Sequence, residues 1–121
     1  MASPDRLLLV SGALLAALGV ALGAFGAHGL KAALSPEALG WWQTAVQYQM
    51  WHAIALVGLA TVRPARTAPL LIGGGILIFS GTLYAMALTG ARWLGAITPV
   101  GGSMLILGWL VLAYQGWRVR N

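Results

Sequence analysis

The groups able to do chemistry are few, and most of them sit on one segment. Thr44, Tyr48 and His52 recur at four-residue spacing, with Gln49 beside them and Gln43 and Gln47 on the opposite side. That spacing puts the first three on one face of a helix. His52 lies 16 residues beyond Pro36 (52 − 36), or about 24 Å along a helix at 1.5 Å per residue, deep enough to be inside a bilayer. A neutral imidazole at that depth can bind a ligand, relay a proton or bond to Tyr84 or Ser80 of another segment. The plainest role is a hydrogen bond between helices, worth about 0.6–2 kcal/mol. A lone histidine without a carboxylate partner makes a thin acid–base site.

Other chemistries fail on inventory or register. Counted from Ser35, His28 is 7 residues away and His52 is 17. The mismatch of ten residues is about 15 Å of depth, too far for two axial ligands on one haem iron. Zinc lacks further ligands, and with no cysteine there is no thiolate nucleophile or disulfide. A proton-coupled exporter needs an ionisable group within the membrane. Asp5 and Glu37 are the sole acids, and both fall at helix ends. Gly73-Gly74-Gly75 opens no nucleotide-binding fingerprint. No catalytic residue, metal or cofactor is assigned.

The elements that must position these groups follow from composition. Of 121 residues, 60% are hydrophobic and 7% charged, and the mean hydropathy is +0.84. A soluble domain carries roughly a quarter charged residues, so a soluble enzyme, a nucleic-acid binder and a disordered tail are excluded. The formal charge of +5 is scattered between apolar runs and forms no patch for nucleic acid. Charged residues delimit uncharged runs at residues 7–30, 38–62, 67–91 and 93–117, each 24 or 25 residues long. About 20 apolar residues cross a bilayer, so each run fits one helix. The expected fold is an all-α membrane protein, a single domain of four transmembrane helices in a compact bundle.

Local signals refine the ends. Ser35-Pro36-Glu37 reads as N-cap, N1 proline and an acid at the positive dipole end. Thr98-Pro99 reads as a second cap and N1 pair, giving spans of about 7–30, 38–62, 67–91 and 99–117. Residues 90–97 then form an outer loop, re-entrant or lying on the protein; one longer helix kinked at Pro99 is the alternative. A secretory signal at the first run is disfavoured, because its apolar length exceeds the usual 7–15 residues. With four crossings, Arg6, Arg63, Arg66, Arg118 and Arg120 share one side against Lys31 and Arg92. The positive-inside rule places both termini in the cytoplasm.

Small residues mark the packing faces. Gly12, Ala16, Gly19, Gly23 and Gly26 fall within one arc of the first helix, and Ala13, Ala17, Ala21, Ala24 and His28 form a second face. Such faces let helices approach closely where lipid removes the hydrophobic drive, so the first helix is expected to pack on two sides and to expose its Leu face. A homo-oligomer or a membrane-protein partner is an expectation from the same surfaces. On the outer side His28, Lys31, Arg92, Thr98 and Gly101-Gly102 converge if the helices align, a setting for an anion or lipid headgroup. Lys31 and Arg92 snorkelling to the interface is the simpler account.

Four stretches resemble one known set. They are residues 23–30 (GAFGAHGL), Trp42-Gln43-Thr44-Ala45 with Tyr48-Gln49 and His52-Ala53, residues 79–84 (FSGTLY), and residues 95–102 (GAITPVGG) with Gly108-Trp109. In order and nearly end to end they are similar to the YgdD-like domain-of-unknown-function family of small bacterial inner-membrane proteins, which has a relative in animal mitochondria. The resemblance implies four helices and an inner (plasma) membrane location, and no reaction. It puts any site at His28, Gln49, His52, Ser80, Tyr84, Thr98 and Pro99. The expected function is non-enzymatic: binding a lipid or a partner protein, with self-association through the Gly/Ala faces. The alternative is a transporter or channel with His52, Gln49 and Tyr84 lining the path.

Overall fold

The structure, a computed structural model, describes residues 3–120. It holds four helices: α1 (Arg6–His28), α2 (Pro36–Val62), α3 (Thr67–Thr89) and α4 (Thr98–Trp117), with a single 3-10 turn over Arg92–Ala96 between the last two. Among the described residues α1, α3 and the Arg92–Trp117 segment are long and apolar enough to cross a membrane. By that measure α2 does not join them, although it is the longest at 27 residues, because it carries the glutamines, Tyr48 and His52.

Side chains at the ends start and stop the helices. Asp5 accepts from the backbone N–H groups of Leu7 (3.1 Å) and Leu8 (3.2 Å) and so caps α1. Ser35 Oγ accepts from the Ala38 N–H at 3.1 Å, with Pro36 in the first turn of α2. Arg63 ends α2 in the left-handed region at φ 54°, and Gly90 ends α3 there at φ 74°, where glycine carries no steric penalty. Thr98 differs from its expected role. Its hydroxyl is drawn to Thr82 Oγ1 (2.6 Å) and to the Leu94 carbonyl (3.2 Å), so it lies inside the first turn of α4 and Ile97 takes the cap position.

The helices pack in series, α1 on α2, α2 on α3 and α3 on α4. Glycines make the first and last seams close. A Cβ on Gly12 would lie 2.9 Å from the Ala53 carbonyl oxygen, one on Gly19 would strike Met50, and one on Gly26 would lie 2.6 Å from the Trp42 indole. Gly23 faces Val46 along the same seam, and Ala16 is half-buried beside it. Across α3 and α4, Gly75 meets Leu105 and Gly108 meets Ile72. The expected two-sided packing of α1 is corrected. At the end of the series α1 has one broad neighbour, so Ala13, Ala17, Ala21, Ala24 and His28 stay exposed. The glycine arc therefore joins α1 to α2 of its own chain and is not free for self-association.

The start of α1, the end of α4 and the α2–α3 connection share one end of the molecule. The Asp5 N–H donates to Ala60 O (2.7 Å), and Arg63 Nη1 donates to Ser3 O (2.7 Å). Arg66 pairs with the Asp5 carboxylate at 3.0 Å. Backbone donation from Leu8, then the charge of Arg66, holds the Asp5 carboxyl below its ordinary value of 3.8 against the opposing effect of burial.

Two predictions follow from these contacts. Gly12→Leu is expected to force α1 off α2 and lower stability by about 1–3 kcal/mol, whereas Gly73→Leu, whose Cβ meets nothing within 4 Å, leaves the melting temperature in detergent close to that of the parent. A depressed carboxyl also stabilises the fold fully above pH 3.8 and loses that contribution as pH falls through the lower folded value. Melting followed by circular dichroism should therefore show an acid-dependent loss that Asp5→Asn flattens.

Candidate functional site

The polar residues of α2 turn in three directions, because α2 touches every other helix. Gln49 is 2% exposed. Its Nε2 donates to the Leu15 carbonyl of α1 at 2.8 Å, and its Oε1 accepts from the Tyr84 hydroxyl of α3 at 2.7 Å. One amide thus joins three helices. Two turns toward the connection to α1, Trp42 Nε1 donates to Leu22 O (2.9 Å), and its ring meets Tyr84 edge-on at 4.7 Å. Ser80, 1% exposed, donates from α3 to the Ala45 carbonyl at 2.7 Å.

His52 completes the set on the side of α4. Trp109 Nε1 carries an obligatory hydrogen and donates to His52 Nε2 at 3.0 Å. Nε2 is therefore the acceptor, and the ring proton sits on Nδ1, donating to Tyr48 O at 2.7 Å. The imidazole is neutral, 6% exposed and fully bonded. Neither Tyr84 nor Ser80 reaches it, contrary to the expectation from sequence. Each already has a partner nearer its own height, and the bulky indole of α4 occupies the place.

The outer cluster does not assemble. Arg92 pairs with Glu37 and its guanidinium lies 5.3 Å over the Trp41 ring. Thr98 is buried against Thr82. Gly101 packs on the Phe79 backbone, and His28 is exposed at the end of α1. Among the described residues no hydrogen bond links His28, Lys31, Arg92 and Thr98. Trp42, Thr82 and Trp109 were missed as bonding partners; each is an apolar-looking or lone polar residue whose single donor gains meaning when a facing acceptor is known.

Space opens elsewhere. Between α1 and α3 runs an apolar groove of about 430 Å³, floored by Leu56 of α2 and walled by Leu7, Leu15, Leu70, Gly73 and Leu77. Past Leu15 and Leu77 it continues as a cleft of about 170 Å³ that ends against Tyr84. At the other end Arg66 lines both the groove and a wider basin of about 640 Å³ with Asp5, Arg6 and Arg63. From Leu70 to Tyr84 is 14 residues of helix, about 21 Å, longer than one leaflet's half of a ~30 Å hydrocarbon core.

Apolar helices with their buried polar groups paired across the seams define a multi-pass membrane protein. The chain belongs to the family described as "Protein of unknown function (DUF423)", whose model matches residues 22–102. It is 43% identical to a UPF0382 membrane protein of Staphylococcus haemolyticus, over 88% of this chain and 92% of that protein. A UPF0382 membrane protein of Haemophilus influenzae is 43% identical over 84% and 86% of the two chains. The UPF0382 inner membrane protein YgdD of Escherichia coli is 35% identical over 97% and 94%. No solved structure matches. The location is the bacterial inner membrane.

Gln49→Leu leaves the hydroxyl of half-buried Tyr84 without its acceptor, so it is expected to lower stability by about 1–3 kcal/mol. Adding Tyr84→Phe removes the orphaned group and should recover part of that loss, read as a positive coupling in a double-mutant cycle of melting temperatures.

Proposed function

We propose that the chain is a non-enzymatic membrane protein that holds one anionic phospholipid, with its headgroup at the basic end and an acyl chain in the α1–α3 groove. The observation that carries this reading is the continuity of that groove with Arg66 and the basin beside it. Three arginines against one aspartate line the basin, a formal balance of +2 (3 − 1). Juxtamembrane arginines attract anionic headgroups by about 1 kcal/mol each. In this reading α2 is a fourth crossing, its polar faces turned to the other helices, and the basic end is cytoplasmic by the positive-inside rule.

A solute path through His52, Gln49 and Tyr84 fits less well. Both side chains of α2 are buried, and their polar atoms already bond to neighbouring helices, so a passing solute meets none of them free.

Native mass spectrometry from nanodiscs tests the lipid reading. One phosphatidylglycerol should stay bound in preference to phosphatidylcholine. Arg63→Gln with Arg66→Gln should weaken that preference roughly 25-fold at about 1 kcal/mol per arginine, and Gly73→Leu should block the groove. Equal retention of both lipids by the parent chain would remove the proposal.

A further inference from the structure

A second surface of α2 is used neither by the fold nor by the lipid groove. Gln43, Gln47, Trp51, Ile54 and Gly58 follow one another at spacings of four, four, three and four residues, which keeps them on one stripe of the helix. All five are exposed, Trp51 by 55% and Ile54 by 59%. Neither glutamine amide makes a hydrogen bond among the described residues, although α2's other amide, Gln49, uses both its nitrogen and its oxygen.

Depth makes Gln47 conspicuous, while Gln43, two residues past Trp41, lies close to the interface. Taking Trp41, over which Arg92 lies, as the outer interface, Gln47 is six residues further on, about 9 Å into the hydrocarbon. Lipid tails offer no partner to an amide, so polar side chains at such depth face protein or a water-filled cavity. The space beside them is shaped for a helix. Gln43 and Gln47 form one wall of a cleft of about 550 Å³, and Gly23, Gly26 and Ala27 of α1 form the other. That wall is nearly free of side chains. Lower on the stripe, a Cβ on Gly58 would meet nothing within 4 Å, so a partner backbone can approach there too.

We propose that a second copy of this chain docks on the Gln43–Gln47–Gly58 stripe of α2, forming a parallel dimer about a two-fold axis normal to the membrane. A membrane fixes the orientation of every copy, so such an axis brings residues of equal depth together. Gln47 then meets Gln47 of the other copy. A carboxamide both donates and accepts, so the pair satisfies itself without another residue type. Trp51 and Ile54 supply the apolar contact below, and small residues at the ends permit the close approach on which helix association in lipid depends. The same contact would cover the polar face that keeps α2 below the apolarity of the other three helices.

The absence of cysteine from the sequence gives a clean test on the full chain in native membranes. Ile54→Cys should form an intermolecular disulfide under mild oxidation in most of the protein. Leu14→Cys on α1 and Leu107→Cys on α4, which are 66% and 51% exposed on other faces, should stay monomeric. In nanodiscs or micelles of defined protein-to-lipid ratio, Gln43→Leu with Gln47→Leu should raise the dimer dissociation constant at least tenfold while leaving the helical melt unchanged. A monomeric Ile54→Cys chain overturns the proposal, as does equal crosslinking at Leu14 or Leu107. A dimer indifferent to loss of both amides overturns it as well. The Ile54 variant retains both glutamines, so its outcome stands even if the double variant misfolds. Bound lipid does not enter either readout, so failure here leaves the groove proposal intact.

Discussion

The fold depends on one carboxamide. Gln49 sits near the middle of α2 and joins Leu15 O of α1 to Tyr84 of α3. In a bilayer the hydrophobic effect does not distinguish a helix packed on protein from one packed on lipid. Register and neighbour must come from contacts that lipid cannot replace, and a buried amide provides two at once. Leu15 O also accepts from the backbone within α1, so the bond uses a second lone pair and costs the helix nothing. α1 and α3 are held together chiefly through α2, which is why a groove can open between those two helices without the bundle falling apart.

Glycine makes that amide reachable. Gly19 brings α1 so close that its missing Cβ would lie 3.4 Å from Gln49 Nε2. Gly12 and Gly26, seven residues to either side, hold the approach along the seam. Trp42 donates to Leu22 O across the same short gap. On the far flank Thr82 reaches Thr98 across the α3–α4 seam made close by Gly75, Gly101 and Gly108, and Trp109 of α4 reaches His52 of α2. Close approach and interhelical hydrogen bonding are one device here, since neither an indole nor an amide spans a seam filled by leucines.

Much of this was legible in the sequence, and the limits have physical causes. Charges and prolines set the helices to within about three residues of their observed ends, because a charge inside the hydrocarbon is costly and Pro36 cannot sit within a helix interior. The glycine arc was legible because helical periodicity is a property of one chain segment. Its partner was not, since pairing depends on the relative rotation of two helices and no residue in α1 encodes the face of α2. Gln49, His52, Ser80 and Tyr84 stand out in the sequence as polar groups on apolar helices, and the structure buries the first three and half-buries Tyr84, but nothing in the sequence shows which of them pair. The choice of Trp109 over Tyr84 for His52 is a matter of which helix stands on which side. The outer cluster dissolved for the same reason: Glu37, 55 residues from Arg92 in the chain, arrives first.

The least apolar helix stands at the centre, and that placement orders the remaining surfaces. A helix surrounded on three sides can carry polar groups at any depth provided each finds a neighbour, and Trp42, Gln49 and His52 do so toward α1, α3 and α4. The fourth side, between α1 and α4, has no helix of this chain to satisfy it. Two of its residues are nonetheless amides, set at the spacing used on the satisfied faces. Chance placement of a glutamine toward lipid is expensive at the roughly 9 Å depth of Gln47, and Gln43, one turn nearer the interface, continues the same stripe. The pattern that closes α2 against α1, α3 and α4 is therefore the same pattern that asks for a fourth neighbour.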